Sequence, residues 1–343
     1  MTKKKVLFSS LLILAVACVL CLEIGYQLLL APQFHPEKKV HIYIDRDDTA
    51  DSVYHKLRQT AAPGNLTGLR WAARLKQYPE HVKTGRYAIL PDDNAYHVLG
   101  RLLRGHQEPM NLVIGSVRTL DRLARNVGNQ LMIDSAEIMQ ALRDTARWSR
   151  QGYTPETLPS LFIPETYQVY WDMDTEDFLA RMTKEHDRFW NPSRRAKADS
   201  LGMTPAEVTT LASIVEEETN NRQEKPMVAG LYINRLRAGI PLQADPTVKF
   251  ALQDFTLRRI TNAHLEFPSP YNTYLNAGLP PGPIRIPTPA GIDAVLDYTR
   301  HNYIYMCAKE DFSGTHNFAS TYAEHMQNAR KYRNALNKRK IFK

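Results

Sequence analysis

The chain holds 343 residues, 43% of them hydrophobic and 23% charged, with a formal net charge of +8 at pH 7. These proportions are ordinary for a globular protein of two or three domains with a proper core, and they exclude a chain too polar to fold. The basic excess favours an anionic lipid or acidic glycan partner; the scattering of Lys and Arg, outside Lys3 to Lys5 and Lys338-Arg339-Lys340, argues against nucleic acid.

After the basic residues of a short cytoplasmic stub (1–5), an uncharged run extends from Val6 to Leu22 and, past Glu23, continues from Ile24 to Ala31. Its first part alone rises about 25 Å as a helix, and the second carries it across a hydrocarbon core. Residues 6–30 therefore read as a transmembrane anchor, with Lys3 to Lys5 holding the N-terminus in the cytoplasm and the bulk exported. Ala15-Val16-Ala17 also matches a cleavage site, and Cys18 loosely suggests a lipoprotein signal. The apolar run outlasts an ordinary signal, which favours a retained anchor.

Residues 32–39, with Pro32 and Pro36, read as a stalk. Alternation of Val40, Ile42 and Ile44 predicts a strand, and Asp48 or Thr49 can cap a helix carrying Val53 and Leu57. A second helix near Leu66 to Leu75 and a strand from Gly85 to Leu90 complete a strand, helix, helix, strand order over 40–90. Asn94 to Arg104 predicts a helix closed by Gly105, Asn111 to Ile114 a strand, and Leu120 to Leu131 a helix. Phe162 to Trp171 reads as extended and aromatic, and 175–200 as a helix followed by a basic connector.

In 206–219, followed at helical periodicity, Val208, Leu211, Ile214 and Val215 form one apolar stripe, and Glu218 occupies the next position on it. Glu216 and Glu217 fall to either side, where they are expected to reach water. A carboxyl on an apolar surface loses hydration when it ionises, so its pKa rises and it can donate a proton near neutrality, as a general acid does. The same spacing also fits a rim residue at a helix end. Beyond it, Val228, Leu231, Tyr232 and Arg235 share one face of a helix stopped by Gly239. Asp245, in the turn Leu242 to Thr247, is placed to cap the next helix. Seven prolines among residues 268–289 predict a rigid, shaped loop. Tyr303 to Ala308 and His316 to Phe318 read as a hairpin, and Thr321 with Glu324 as a capping box for the last helix.

Eleven histidines show no H-E-x-x-H or paired Cys/His spacing, so no metal is expected, and the absence of Gly-rich phosphate motifs removes the usual nucleotide cofactors. Cys18 and Cys21 lie in the apolar N-terminal segment, so Cys307 stands alone in the globular part and no disulfide framework forms there. A thiol nucleophile, Cys307 with His316, is a rival to the carboxyl. Cys307 sits in a predicted strand rather than at a helix N-terminus that would acidify it, and a buried structural cysteine is the expectation. Ordinary glycosidases use two carboxyls. Asp245 is a candidate second, although its place also fits capping; without a second, the substrate must supply the nucleophile.

Leu211-Ala-Ser-Ile-Val-Glu-Glu-Glu-Thr219, Tyr232-Ile-Asn-Arg-Leu236, Leu242-Gln-Ala-Asp-Pro-Thr-Val248, Tyr271-Asn-Thr-Tyr274, Gly278-Leu-Pro-Pro-Gly-Pro-Ile284 and His316-Asn-Phe318 resemble, in order, the MltG/YceG-like family of endolytic murein transglycosylases. The resemblance is strong over 205–330 and weaker over the anchor and 40–105. It implies an α+β protein: a single N-terminal transmembrane helix, a LysM-like βααβ subdomain (40–105), a connecting α/β region (106–204) and a mixed α+β catalytic domain (205–343). It also implies lytic cleavage of the MurNAc-GlcNAc bond of nascent peptidoglycan to 1,6-anhydro-MurNAc ends, with Glu218 as acid and then base and no cofactor. Gln243, Asp245, Thr247, Tyr271, Asn272 and Tyr274 match motif positions and are the expected substrate-binding residues. Phe250, where the family carries an aromatic hydroxyl, and a short 250–268 stretch are departures that bear on subsites. The implied partners are glycan strands, lipid of the inner (cytoplasmic) membrane and peptidoglycan synthases, with the bulk of the chain on the periplasmic side. A non-catalytic peptidoglycan-binding scaffold and a lysozyme-like hydrolase are the alternatives.

Overall fold

The structure is a computed structural model that describes residues 3–257 and 259–339. Met1 and Thr2 of the expected stub, and Lys340 of the C-terminal basic run, lie outside the described residues. The chain divides into two compact units, the first formed by 1–112 with 130–132 and 168–173, the second by 113–129, 133–167 and 174–343.

The first unit contains α1 (Lys3–Leu29), β1 (Val40–Ile44), α2 (Ala50–Thr60), α3 (Thr67–Leu75), β2 (Gly85–Ile89) and α4 (Ala95–Arg104). The strand, helix, helix, strand order is as the sequence predicts. β1 and β2 pair antiparallel from Val40↔Ile89 to Ile44↔Gly85. Their alternating Ile42, Ile44, Tyr87 and Ile89 meet Val53, Leu57, Leu69, Val98 and Leu102 from the helices in one core. Of the two candidate caps, Thr49 caps α2 in a box with Ser52, while Asp48 pairs with Lys56. Within α1, Leu7–Leu29 is long and apolar enough to cross a membrane. The expected stalk is corrected: Phe34 is fully buried in the core, and the backbone amides of Gln33 and Phe34 both donate to the Asp93 carbonyl. An apolar ring beside extended, proline-stiffened backbone docks on the domain instead of standing off it.

Two strands, β3 (Met110–Ile114) and β4 (Glu165–Val169), pair with each other, and the boundary between the units falls inside both. The second unit contains α5 (Leu120–Gly128), α6 (Ser135–Leu142), α7 (Thr145–Ser149), α8 (Thr175–Phe189), α9 (Pro192–Leu201), α10 (Pro205–Glu218), α11 (Lys225–Arg237), α12 (Asp245–Leu252), α13 (Asn262–Leu265), α14 (Pro289–Leu296), the hairpin β5 (Tyr305–Ala308) and β6 (His316–Ala319), and α15 (Tyr322–Lys338). The expected basic connector after α8 is itself helix α9, begun by the Asn191 cap and Pro192 in its first turn.

Helix α10 is the centre of this unit. Thr204 and Glu207 cap it reciprocally, and it packs against α9, α11, α12 and α14. Burial is not confined to one stripe: Thr209, Thr210, Ala212, Ser213 and Glu216 are buried together with Val208, Leu211, Ile214 and Val215. The hydroxyls survive burial because each finds a partner. Thr209 and Thr210 donate to carbonyls four residues back, and Ser213 Oγ donates to the Thr210 carbonyl while accepting from the Ile284 amide. That last bond ties the proline-rich loop to α10. At Gly282 the loop lies directly on another backbone: a Cβ there would come within 1.9 Å of the Glu156 carbonyl oxygen.

Candidate active site

Three consecutive carboxylates end α10, and each meets a different environment. Glu216 is buried and accepts from Lys225 Nζ at 2.8 Å, from the Thr288 amide at 2.8 Å and from Thr288 Oγ1 at 2.5 Å. Burial pushes its pKa up, but these bonds outweigh burial and hold it below the ordinary carboxylate value. Glu217 is gripped by Arg118 through two bonds of 2.8 Å and by Arg285 at 3.1 Å. The expectation that both reach water is thus corrected. Their partners come from α11, the α14 cap, Arg118 and Arg285 of the proline-rich loop, none of which the periodicity of α10 can reveal.

Glu218 differs from both. It is half-buried, and among the described residues it accepts one hydrogen bond, from Tyr232 OH to Oε1 at 2.9 Å. Desolvation pushes its pKa up to about 7; the Tyr232 bond pulls the other way, and the Asp245 carboxylate adds to the rise. Tyr232 is itself buried in the core one helix on, so its hydroxyl is aimed by packing.

Glu218 and Tyr232 line a cleft of about 400 Å³. Gln243, Asp245 and Tyr274 form part of its wall. Asp245 does not cap α12: the cap position is Ala244, and Asp245 is the first helical residue, its Oδ1 accepting from Tyr274 OH at 2.6 Å. The helix starts one residue earlier than a capping Asp245 requires, with Pro246 in its first turn, and the Asp245 carboxylate is held by Tyr274 at the cleft. Gln243 adopts a left-handed φ of 51°, and its side-chain oxygen accepts from buried Arg235, 3.3 Å away. Arg235 also donates to the carbonyls of Leu242 and Ile304, at 2.9 and 2.6 Å, and so joins this turn to the segment leading into β5.

The other expected binding residues have different surroundings. Thr247 is fully buried, its hydroxyl 2.8 Å from that of Thr273 and donating to the Ala244 carbonyl. Asn272 is fully buried and donates to the carbonyls of Leu265 and Phe267. Tyr271 packs on Phe250 with ring centres 4.7 Å apart. These three shape the loops behind the wall, whereas Gln243, Asp245 and Tyr274 face the cleft with Glu218.

Opposite, the hairpin and α15 contribute Tyr305, Cys307, His316, Tyr322 and His325. Tyr305 stacks on His325 at 5.3 Å and meets Tyr322 edge-on at 6.1 Å. Sequence reasoning missed this aromatic wall. Strand alternation puts Tyr305 and Cys307 on one face, a signal legible in the residues, but the docking of α15 is long-range. Cys307 is half-buried rather than internal, and burial pushes its thiol up, away from the thiolate. His316 does not serve it: its Nδ1 lies 3.1 Å from Glu224, which also accepts from the His316 amide at 2.6 Å. Among the described residues, no group of three His, Cys, Asp or Glu side chains is arranged to hold a metal ion.

A carboxyl that burial drives up beside one, Glu216, that is held down, opening on a cleft with a second carboxylate and aromatic rings, is an arrangement suited to acid–base chemistry of the kind used on glycosidic bonds. The YceG-like family matches residues 42–331, and the chain belongs to that family. It is 32% identical over 184 residues, 53% of its length, to a protein named endolytic murein transglycosylase from Bacillus subtilis. It is 26% identical over 294 residues, 77% of its length, to one of the same name from Streptococcus pneumoniae. The chain spans about half the length of these curated relatives, 50% and 53%. A crystal structure of a yceG-like protein from Listeria monocytogenes is 25% identical, with a TM-score of 0.57, covering 85% of this chain and 99% of that one.

Proposed function

We propose that the chain is an endolytic lytic transglycosylase that cleaves the MurNAc-GlcNAc bond of nascent peptidoglycan, with Glu218 as the single proton carrier. The observation that carries this reading is the Glu218 carboxyl itself: pKa about 7, one oxygen bonded to Tyr232, at the wall of an open cleft. In its protonated form it donates to the bridging oxygen as the C1–O bond breaks and GlcNAc leaves with that proton as a hydroxyl. The resulting carboxylate takes the proton from the C6 hydroxyl of the same MurNAc, whose oxygen closes on C1 to give the 1,6-anhydro ring. Glu218 ends protonated, and no water is consumed. A pKa near neutrality suits both halves of this cycle. Asp245, held by Tyr274, lies in the same cleft and would offset the positive charge that develops at C1. Gln243 and Tyr274 bind the sugars, and Thr247, Asn272 and Tyr271 hold the loops that present them.

The names of the relatives support the substrate class. The same proposal has α1 anchoring the chain in the inner membrane with its N-terminus in the cytoplasm, residues 40–105 forming a LysM-like unit that holds glycan, and the chain working beside peptidoglycan synthases. The test is digestion of peptidoglycan by the wild type and Glu218→Gln, with the new glycan ends identified by mass spectrometry. Anhydro ends from the wild type that vanish in the variant are expected. Reducing ends would make the protein a hydrolase, and tight binding without cleavage would make it a scaffold.

A further inference from the structure

Helix α3 carries two apolar faces. Leu69 and Ala73 point into the core of the first unit. Gly68, Trp71 and Leu75 recur at three- and four-residue spacing along a second face, with Ala72 half-buried against the core at its edge. The last turn of α1 docks at the head of that second face. A Cβ at Gly68 would sit 1.9 Å from the Leu28 carbonyl oxygen, so the two helices touch backbone to backbone. Asn94 Nδ2 donates to the Leu30 carbonyl and Gln33 Nε2 to that of Gln27, and Leu29 packs on the core. The apolar helix therefore joins the first unit without slack, and whatever surrounds the end of α1 also surrounds α3.

Past the point of contact, the second face stays open, with Trp71 56% and Leu75 63% exposed. Isolated exposed apolar residues are common and need no explanation. Here they flank the exit of a 23-residue apolar run. That run rises about 34 Å, slightly more than a hydrocarbon core, so its last turn emerges at headgroup depth. Around the same helix stand Arg70, Arg74 and Lys76, with no acidic residue from 67 to 76. Asp51 of α2 lies 3.8 Å from Arg70, but Arg74 and Lys76 are not among the residues it pairs with, and Trp and Leu on one face with a cationic excess beside it form the pattern of a helix that lies in an anionic interface.

We propose that the Trp71 and Leu75 face of α3 is seated in the headgroup layer of an anionic bilayer, beside the entry point of α1, and holds the first unit on the membrane surface. The proposal rests on α1 being a membrane anchor. The test reconstitutes the full chain in vesicles of equal parts phosphatidylcholine and phosphatidylglycerol, with acyl chains brominated near the headgroup, and follows tryptophan fluorescence. Of the four tryptophans none lies in α1, Trp148 and Trp190 are buried, and Trp171 is half-buried with its ring 5.0 Å from that of Tyr43, so Trp171→Phe serves as the background in which the Trp71 signal is read. Brominated lipid is expected to quench this background, with most of that quenching lost in Trp71→Phe and weakened in Arg74→Glu/Lys76→Glu. A chain that fails to float with the vesicles would refute the anchor and this face with it. A chain that floats but is quenched equally with and without Trp71 would overturn the face alone. So would emission that ignores brominated lipid and responds to soluble glycan fragments, since Trp71 would then be a sugar platform.

Discussion

Replacing Tyr232 by Phe removes the one hydrogen bond that opposes the desolvation of Glu218 and leaves the core volume unchanged. Its size can be worked from the structure. A bond of 2.9 Å to a carboxylate contributes about 1.5–3 kcal/mol, and the same bond to a neutral carboxyl about 0.5–1.5. The difference, roughly 1–1.5 kcal/mol, is the preference for the ionised form that Phe abolishes, and it corresponds to about one pH unit. Glu218, already at about 7, should move up by that amount, because the lost bond was the lowering influence. The protonated carboxyl is the form that starts the reaction, so the alkaline limb of kcat/KM should shift upward while the acid side of the profile keeps its shape. The assay is the initial rate of anhydro-end release from pH 5 to 9. An alkaline limb that stays put, or moves down, would refute the claim that Tyr232 tunes the proton donor.

The same carboxyl costs the fold stability when it ionises. Its pKa is about 7 folded against an ordinary 4.5, so its neutral form is favoured below 4.5 and that contribution is lost as pH rises through 7. Glu218→Gln cannot ionise, and should stabilise the protein by up to about 3 kcal/mol at pH 8 and by nothing measurable at pH 4, as read by denaturant unfolding at the two values. The buried pair gives the opposite sign. Lys225→Met strands the Glu216 carboxylate and should cost about 3–5 kcal/mol at pH 7. Because the pair holds the Glu216 pKa below 4.5, its stabilisation fades in acid, and the gap between variant and wild type should narrow as pH falls below that value. Finally, Cys307→Ser should keep wild-type kcat/KM, since a thiol pushed up by burial supplies no nucleophile at neutral pH. Loss of anhydro-end release in that variant would reopen the thiol reading.

Local chemistry made much of the fold readable in advance. Asn94 and Gly105 bound one helix, Thr321 and Glu324 start another, and alternation at Val40, Ile42 and Ile44 gives a strand; each signal lies within a few residues of the element it specifies. Glu218 was legible for the same reason, since helical periodicity alone places it after Val208, Leu211 and Val215 on an apolar line. What the tertiary structure decided is everything that depends on partners far along the chain. Glu216 and Glu217 look as free as any helix-end carboxylates until Lys225, Thr288, Arg118 and Arg285 converge on them. Asp245 changes from a cap to a cleft residue because the helix starts one residue earlier and Tyr274 claims its oxygen, and the docking of α15 sets Tyr322 and His325 against Tyr305 to complete an aromatic wall. Periodicity and capping are short-range effects of backbone geometry. Burial, ion pairing and the pKa that follows from them are set by which distant surfaces meet.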